Sequence, residues 1–257
     1  YPFISKWQTT APSESITLPL RSGFSYNFTV DWGDGSPIDT ITSHTDINKT
    51  HTYATAGIYE VTINGTLKAW YFNNAGDKNK ILEVNALGHM GWTNLENAFK
   101  GCTNLTIFTG GDTATVTTMK GMFSGATSVI PDTSLWDTTN VTDMSFLFYN
   151  ASAATPDTSL WVTSNVTNME SMFRSATSAN PITSGWVVAN VTNMSDMFHQ
   201  ASSAIPNTAT WDTSSVTTIA RMFSGASLAN PITGGWDVSS VTDMSGTFEY
   251  ASIAIPD

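Results

Sequence analysis

The sequence predicts an N-terminal β-sandwich followed by an α/β solenoid of 25-residue coils, each contributing one helix and one short parallel strand. Three observations carry that expectation. Trp136, Trp161, Trp186, Trp211 and Trp236 stand 25 residues apart. Phe123 through Phe248, Ala126 through Ala251, Pro131 through Pro256 and a valine row from Val116 to Val241 keep the same step. The first 75 residues break it and alternate apolar and polar residues instead. A fixed period of this length marks an architecture in which each unit buries apolar surface only against its neighbours. The expected divisions are a sandwich over 1–75, a cap with a first atypical repeat over 76–112, and the repeat block over 113–257.

In the first segment, ITLPL, YNFTVDWGDGS and THTYATAGIYEVTING alternate between Gly, Pro, Asp and Asn punctuation, the pattern of short antiparallel strands. Asp34-Gly35 is a turn pair. The combination of Trp32–Gly35 (WGDG), His51-Thr52-Tyr53 and Gly57–Val61 (GIYEV) resembles the polycystic-kidney-disease (PKD) type β-sandwich. That resemblance implies an extracellular spacer or ligand-presenting module. Asp31 and Asp34, with Asp46 nearby, form a candidate calcium site; turn aspartates bonding their own backbone account for the same residues.

The helix of each repeat is expected on the pattern of Asn140 to Ala151, NVTDMSFLFYNA, whose apolar residues fall at offsets 0, 3, 6, 7 and 10. That is one face of about three helical turns. The residue before each valine (Thr115, Asn140, Asn165, Asn190, Ser215, Ser240) suits an N-cap. The strand is expected on DTSLWDT and its copies. With Trp161 inward, period two sends Ser159 and its equivalents inward and the threonines outward. Proline flanks carry one isoleucine (Ile130, Ile182, Ile205, Ile232, Ile255), on alternating sides in the later copies and absent beside Pro156, which is consistent with filling an apolar hole shared by neighbouring coils. Helices pack about 8–10 Å apart and strands about 4.8 Å apart, so coils of this kind must curve with the strands on the concave side.

The repeats WDTTNVTDMSFLFYNA, WVTSNVTNMESMFRSA and WDVSSVTDMSGTF resemble the BspA-type leucine-rich-repeat surface proteins, over residues 76–257. GWTNLENAFKGCTNLT, from Gly91 to Thr106, resembles their capping repeat. The resemblance implies a leucine-rich-repeat-like fold and bacterial or protist surface proteins that attach to matrix, host cells or other microbes. The segment before each Trp departs from the family's usual Phe-Asn-Gln type, so no ligand contact carries over.

Composition narrows function further. The chain is 40% hydrophobic but only 12% charged, about half the usual share. Its net charge is −11, with 3 Lys/Arg against 11 Asp/Glu over 113–257. That balance opposes binding to nucleic acid or to anionic lipid. Cys102 alone excludes a disulfide framework and reads as a small buried residue. No stretch is apolar enough to span a bilayer. The chain opens at Tyr1 and stops at Asp257 partway through a repeat, so it is expected to be part of a larger polypeptide. Four scattered histidines without zinc spacing, and the absence of nucleophile or phosphate-loop motifs, give catalysis no support.

The expected function is therefore that of an extracellular, cell-surface adhesin region that meets a protein, peptide or glycan through the concave face. The candidate contact residues are Thr133, Leu135, Asp137, Thr158, Leu160, Thr183, Thr208, Thr210, Asp212, Thr233 and Asp237. Beyond the candidate calcium, no cofactor is expected. A passive stalk is the competing reading, and a Thr row meeting a regular lattice such as ice a distant third. The Trp and Met rows are assigned to the core.

Overall fold

The computed structural model describes residues 1–255. Pro256 and Asp257, which end the proline row, lie outside the described residues. Nine strands form among them: β1 (Phe3–Thr9), β2 (Glu14–Thr17), β3 (Tyr26–Asp31), β4 (Asp39–Ile41), β5 (Thr50–Tyr53), β6 (Gly57–Leu67), β7 (Ile81–Ala86), β8 (Ile107–Thr109) and β9 (Ile130–Asp132). β1 shows why they form: FISKWQT buries Phe3, Ser5, Trp7 and Thr9 on one face, the period of a pleated strand. β6 lies between β3 and β1, antiparallel to both. The backbones approach closely around it. A Cβ at Gly33 would lie 2.3 Å from the Glu60 carbonyl oxygen, and one at Gly65 2.4 Å from that of Asn27.

The separate PKD-like sandwich expected over 1–75 is not formed. β1 also pairs with β7 across the expected boundary, Ile4 meeting Ala86 and Trp7 meeting Ile81. β7 then runs parallel to β8, and β8 to β9, so one mixed sheet of order β4-β3-β6-β1-β7-β8-β9 carries the N-terminal strands into the first repeats. Only β2 and β5 pair apart from it. A single apolar cluster runs from Phe3 to Ala229 through both regions, and buried Cys102 belongs to it, its thiol pKa raised by burial.

The α/β leucine-rich-repeat solenoid is overturned as well. No α-helix occurs among the described residues, and the single helical piece is the 3₁₀ turn Ile47–Lys49. Where Asn140 to Ala151 was expected to be helical, the backbone makes successive tight turns: the N–H groups of Leu147, Tyr149 and Ala151 donate to the carbonyls of Met144, Phe146 and Phe148. The alternate N–H groups, of Met144, Phe146, Phe148 and Asn150, leave the coil and donate to Asn168, Glu170, Met172 and Arg174 one repeat on. Phe146 and Asn150 adopt φ of 59° and 55°, which a right-handed helix excludes. The expected caps act between coils: the Asn140, Asn165 and Asn190 amides donate to carbonyls of the preceding coil at 2.7–2.8 Å.

The repeats thus form a helix-free stack tied by parallel bridges at Asn94, Thr118, Asp143, Asn168, Asn193, Thr218 and Asp243. Inside it the Trp rings stack at 5.8–6.5 Å from Trp136 to Trp236. The Phe rings stack at 5.5–5.7 Å from Phe148 to Phe248. Met119, Met144, Met169 and Met194 are buried, while Met244 in the last described coil is exposed. The predicted curvature rested on helix-to-helix spacing. With hydrogen bonds joining neighbouring coils on the former helix side too, the reason for a concave face disappears.

Candidate functional site

The side of each coil from the proline to the corner after tryptophan holds the predicted contact residues, and two kinds of turn build it. Trp136 N–H donates to the Thr133 carbonyl and Val141 N–H to that of Thr138, and every later coil repeats both turns. DTSLW is therefore a turn, not a strand, and period two does not apply. Threonine and tryptophan both face inward; Ser159, Ser184, Ala209 and Gly234 face out.

This reverses part of the predicted site. Thr133, Thr158, Thr183 and Thr208 are buried, each hydroxyl donating to a carbonyl of the next coil: Asp157 at 2.6 Å, Ile182 at 2.9 Å, Asn207 at 2.8 Å and Ile232 at 2.7 Å. They are ties within the stack and cannot meet a ligand or an ice lattice. Thr233 is half-buried. A second buried row goes further: Thr113 Oγ1 donates to the Asp137 carbonyl at 3.0 Å and accepts from Asp137 N–H at 2.9 Å. Thr138 and Thr163 repeat this double tie to Val162 and Val187.

The other predicted residues do come together on the surface. Leu135 and Leu160 occupy the third position of the Thr-to-Trp turn and are 80% and 70% exposed; Thr210 takes the same place. One step past each Trp, Asp137, Val162, Val187, Asp212 and Asp237 form an exposed row. The aspartates also hold their own turns. Asp137 Oδ1 accepts from Thr139 N–H at 2.9 Å, Asp212 from the Ser214 N–H and hydroxyl, and Asp237 from Ser239 N–H. The hydroxyl bonds from Thr139, Ser214 and Ser239, then those backbone bonds, hold the three carboxyls below the usual aspartate range.

The isoleucines flanking proline were read as hole-fillers, yet Ile130, Ile182, Ile205 and Ile232 are each more than half exposed. β9 explains why: Pro131 points into the core, so both its neighbours point out. The exposed apolar stripe is thus wider than the sequence reading placed it. At the candidate calcium residues, Asp31 accepts from Gly33 N–H, Asp34 from Ser36 N–H and His51, and Asp46 from Asn48 and Thr42 N–H. No cluster of three metal-ligating side chains exists among the described residues. No described helix is long and apolar enough to cross a membrane.

A second feature escaped the sequence reading altogether. Lys100, Lys120 and Arg174 line a hollow of about 410 Å³ together with Phe146 and Tyr149. Nothing in the 25-residue pattern marks it, because it arises where the residues between the constant core positions differ from one coil to the next.

These features define a class: a helix-free, turn-built repeat protein whose coils are tied by parallel bridges and Ser/Thr/Asn side chains, with an apolar stripe along one side. A family model described as "Mycoplasma protein of unknown function, DUF285" matches residues 93–208 and again 202–254. The chain belongs to this family. The match begins one residue before Asn94 of the bridge ladder, and with the missing helices it overturns the BspA-type leucine-rich-repeat assignment. No curated protein and no solved structure matches the chain.

Proposed function

We propose that the chain is the ligand-binding region of an extracellular cell-surface adhesin, a binding protein and not an enzyme, and that it engages a protein or peptide through the stripe centred on Leu135 and Leu160. The observation that supports this reading is the pairing of the two most exposed leucines among the described residues on consecutive coils, in a chain that buries Leu67, Leu87, Leu95, Leu105 and Leu147 completely. Contiguous exposed apolar surface rimmed by polar residues marks interaction sites, and Ile130 and Val162 extend this one. Asp132, Asp137 and Asp157 border it, so the fitting partner is apolar at its centre and basic at its rim. A glycan fits this stripe less well, since the Trp rings that would stack on sugars are buried against one another.

The test is a peptide-and-glycan array probed with the purified protein, with calcium and with chelator. Peptides combining apolar and Lys/Arg residues should bind. Replacing Leu135 and Leu160 together by Ser should lower affinity at least about tenfold while leaving the melting curve unchanged. Hits indifferent to that double variant would refute the site. The uninterrupted bridge ladder from Asn94 to Asp243 favours a second reading, a passive stalk. A blank array from folded protein would select it.

A further inference from the structure

The hollow beside the repeat stack has a simple origin. Along two columns of turn positions, successive coils place Asn97, Gly121, Phe146 and Ser171 in one and Lys100, Ser124, Tyr149 and Arg174 in the next. The coil that carries Gly121 and Ser124 supplies the smallest residues of both columns, between larger ones on either side. One coil's worth of missing side chain leaves a notch of about 410 Å³, toward the lower end of the ~300–1,000 Å³ typical of small-molecule sites.

Its chemistry stands apart from the rest of the surface. Three of the chain's 10 Lys/Arg line it, no carboxylate does, and the protein as a whole carries −11. Neither Lys100 nor Lys120 forms a salt bridge with any carboxylate among the described residues, whereas Lys6, Arg21 and Lys80 all do. Arg174 is held from one side by Asp196 at 3.3 Å and lies 5.7 Å from the Tyr149 ring centroid. Asp196 is itself clamped by both Nε and Nη2 of Arg221. The Phe146 ring stands 5.9 Å from that of Tyr149, on the left-handed turn backbone that every coil from Asn97 to Gly246 adopts at this position.

We propose that this notch binds an anionic saccharide residue: a pyranose ring carrying a carboxylate or a sulfate. Lys100, Lys120 and Arg174 supply charge-assisted bonds to the anion. Phe146 and Tyr149 offer apolar faces to the ring, and Asn97 and Ser124 can bond its hydroxyls. The site shares no residue with the leucine stripe, so it stands or falls separately from the proposed adhesin face.

The experiment is titration calorimetry of the full chain at low ionic strength with N-acetylneuraminic acid, glucuronic acid, glucose 6-sulfate, neutral N-acetylglucosamine, inorganic sulfate and a poly-glutamate peptide. One or more of the acidic sugars should bind and the neutral sugar should not, with binding weakening as salt rises. Lys120→Gln and Lys100→Gln should each weaken binding about tenfold. Ser124→Tyr, which copies the residue the next coil carries at that column, should fill the notch and abolish binding. The surface lysine variants keep the test open if Ser124→Tyr does not fold. Equal binding of the neutral sugar, inorganic sulfate as effective as the sugars, preference for the peptide, no binding by any acidic sugar, or full affinity in a folded Ser124→Tyr protein would each overturn the proposal.

Discussion

A buried threonine in this protein does the work that a strand's backbone does elsewhere. Thr138 Oγ1 donates to the Val162 carbonyl at 2.9 Å and accepts its N–H at 2.8 Å, so one hydroxyl satisfies both polar groups of the next coil. The row has a natural gap at Val188, buried at the same position. Val188→Thr should therefore stabilise the protein by about 0.5–1.5 kcal/mol, read from the urea midpoint at constant slope. Thr138→Val should cost about 1–3 kcal/mol, because it strands a buried donor and acceptor. Trp186→Ala removes a ring stacked on both neighbours and should cost about 3–5 kcal/mol; a variant that kept its melting profile would contradict the packing. Acidity acts at this scale too. Burial alone would raise Asp34, but bonds from Ser36 and His51 outweigh it and bring the carboxyl down to about 2. Bonds from Thr10 N–H and from Lys80 lower Glu14 to about 2 likewise. Folded values below the unfolded ones mean stability that is complete above the ordinary carboxylate range and lost as pH falls through it toward about 2. Melting temperature should fall over that window, and less steeply in Asp34→Asn.

At the scale of the element, the chain of turns explains both what the sequence disclosed and what it concealed. Apolar residues at offsets 0, 3, 6, 7 and 10 face one side of a helix, but they face one side of this turn series equally: Val141, Met144, Leu147, Phe148 and Ala151 are all buried. Periodicity therefore identified the core residues and could not distinguish the two backbones. The discriminating signal lay at the left-handed positions. Gly125 and Gly225 occupy one of them, with Asn150, Ser175 and Gln200 between, and of these five only Gln200 is a good helix former. Ser175 sits there at φ 57°. Ser175→Gly should stabilise by about 0.5–1 kcal/mol, since relief of a left-handed conformation outweighs the entropy glycine loses; a destabilised variant would mean the strain is absorbed elsewhere. The candidate stripe was legible in part. Leu135 and Leu160 were found because they vary against a constant tryptophan, whereas the threonines were misplaced by treating a turn as a strand. The notch was invisible because it is a difference between coils, and a search for what repeats passes over it.

For the whole molecule, the 25-residue repeat gave the extent and order of the stack, and the N-terminal alternation gave its strands. What sequence did not reveal was that β1 joins both regions in one sheet. Long-range pairings of that kind leave no local pattern. The composition now has a structural account: a stack whose corners are closed by Ser152, Thr177, Ser202 and Ser227, each hydroxyl reaching the carbonyl 25 residues back, needs few charges. Side chains that bond the neighbouring coil replace the ion pairs of an ordinary surface.

The bridges that join Asn94 to Asp243 run from coil to coil, and this orientation has a mechanical consequence. Tension applied between the two ends of the stack meets these bonds one rung after another, as in a zipper. The stack should yield coil by coil, each rupture releasing 25 residues, or about 80–90 Å of contour. Single-molecule stretching should show that evenly spaced sawtooth, preceded or followed by a distinct event from the N-terminal sheet. A protein built this way would lengthen under load without giving way at once.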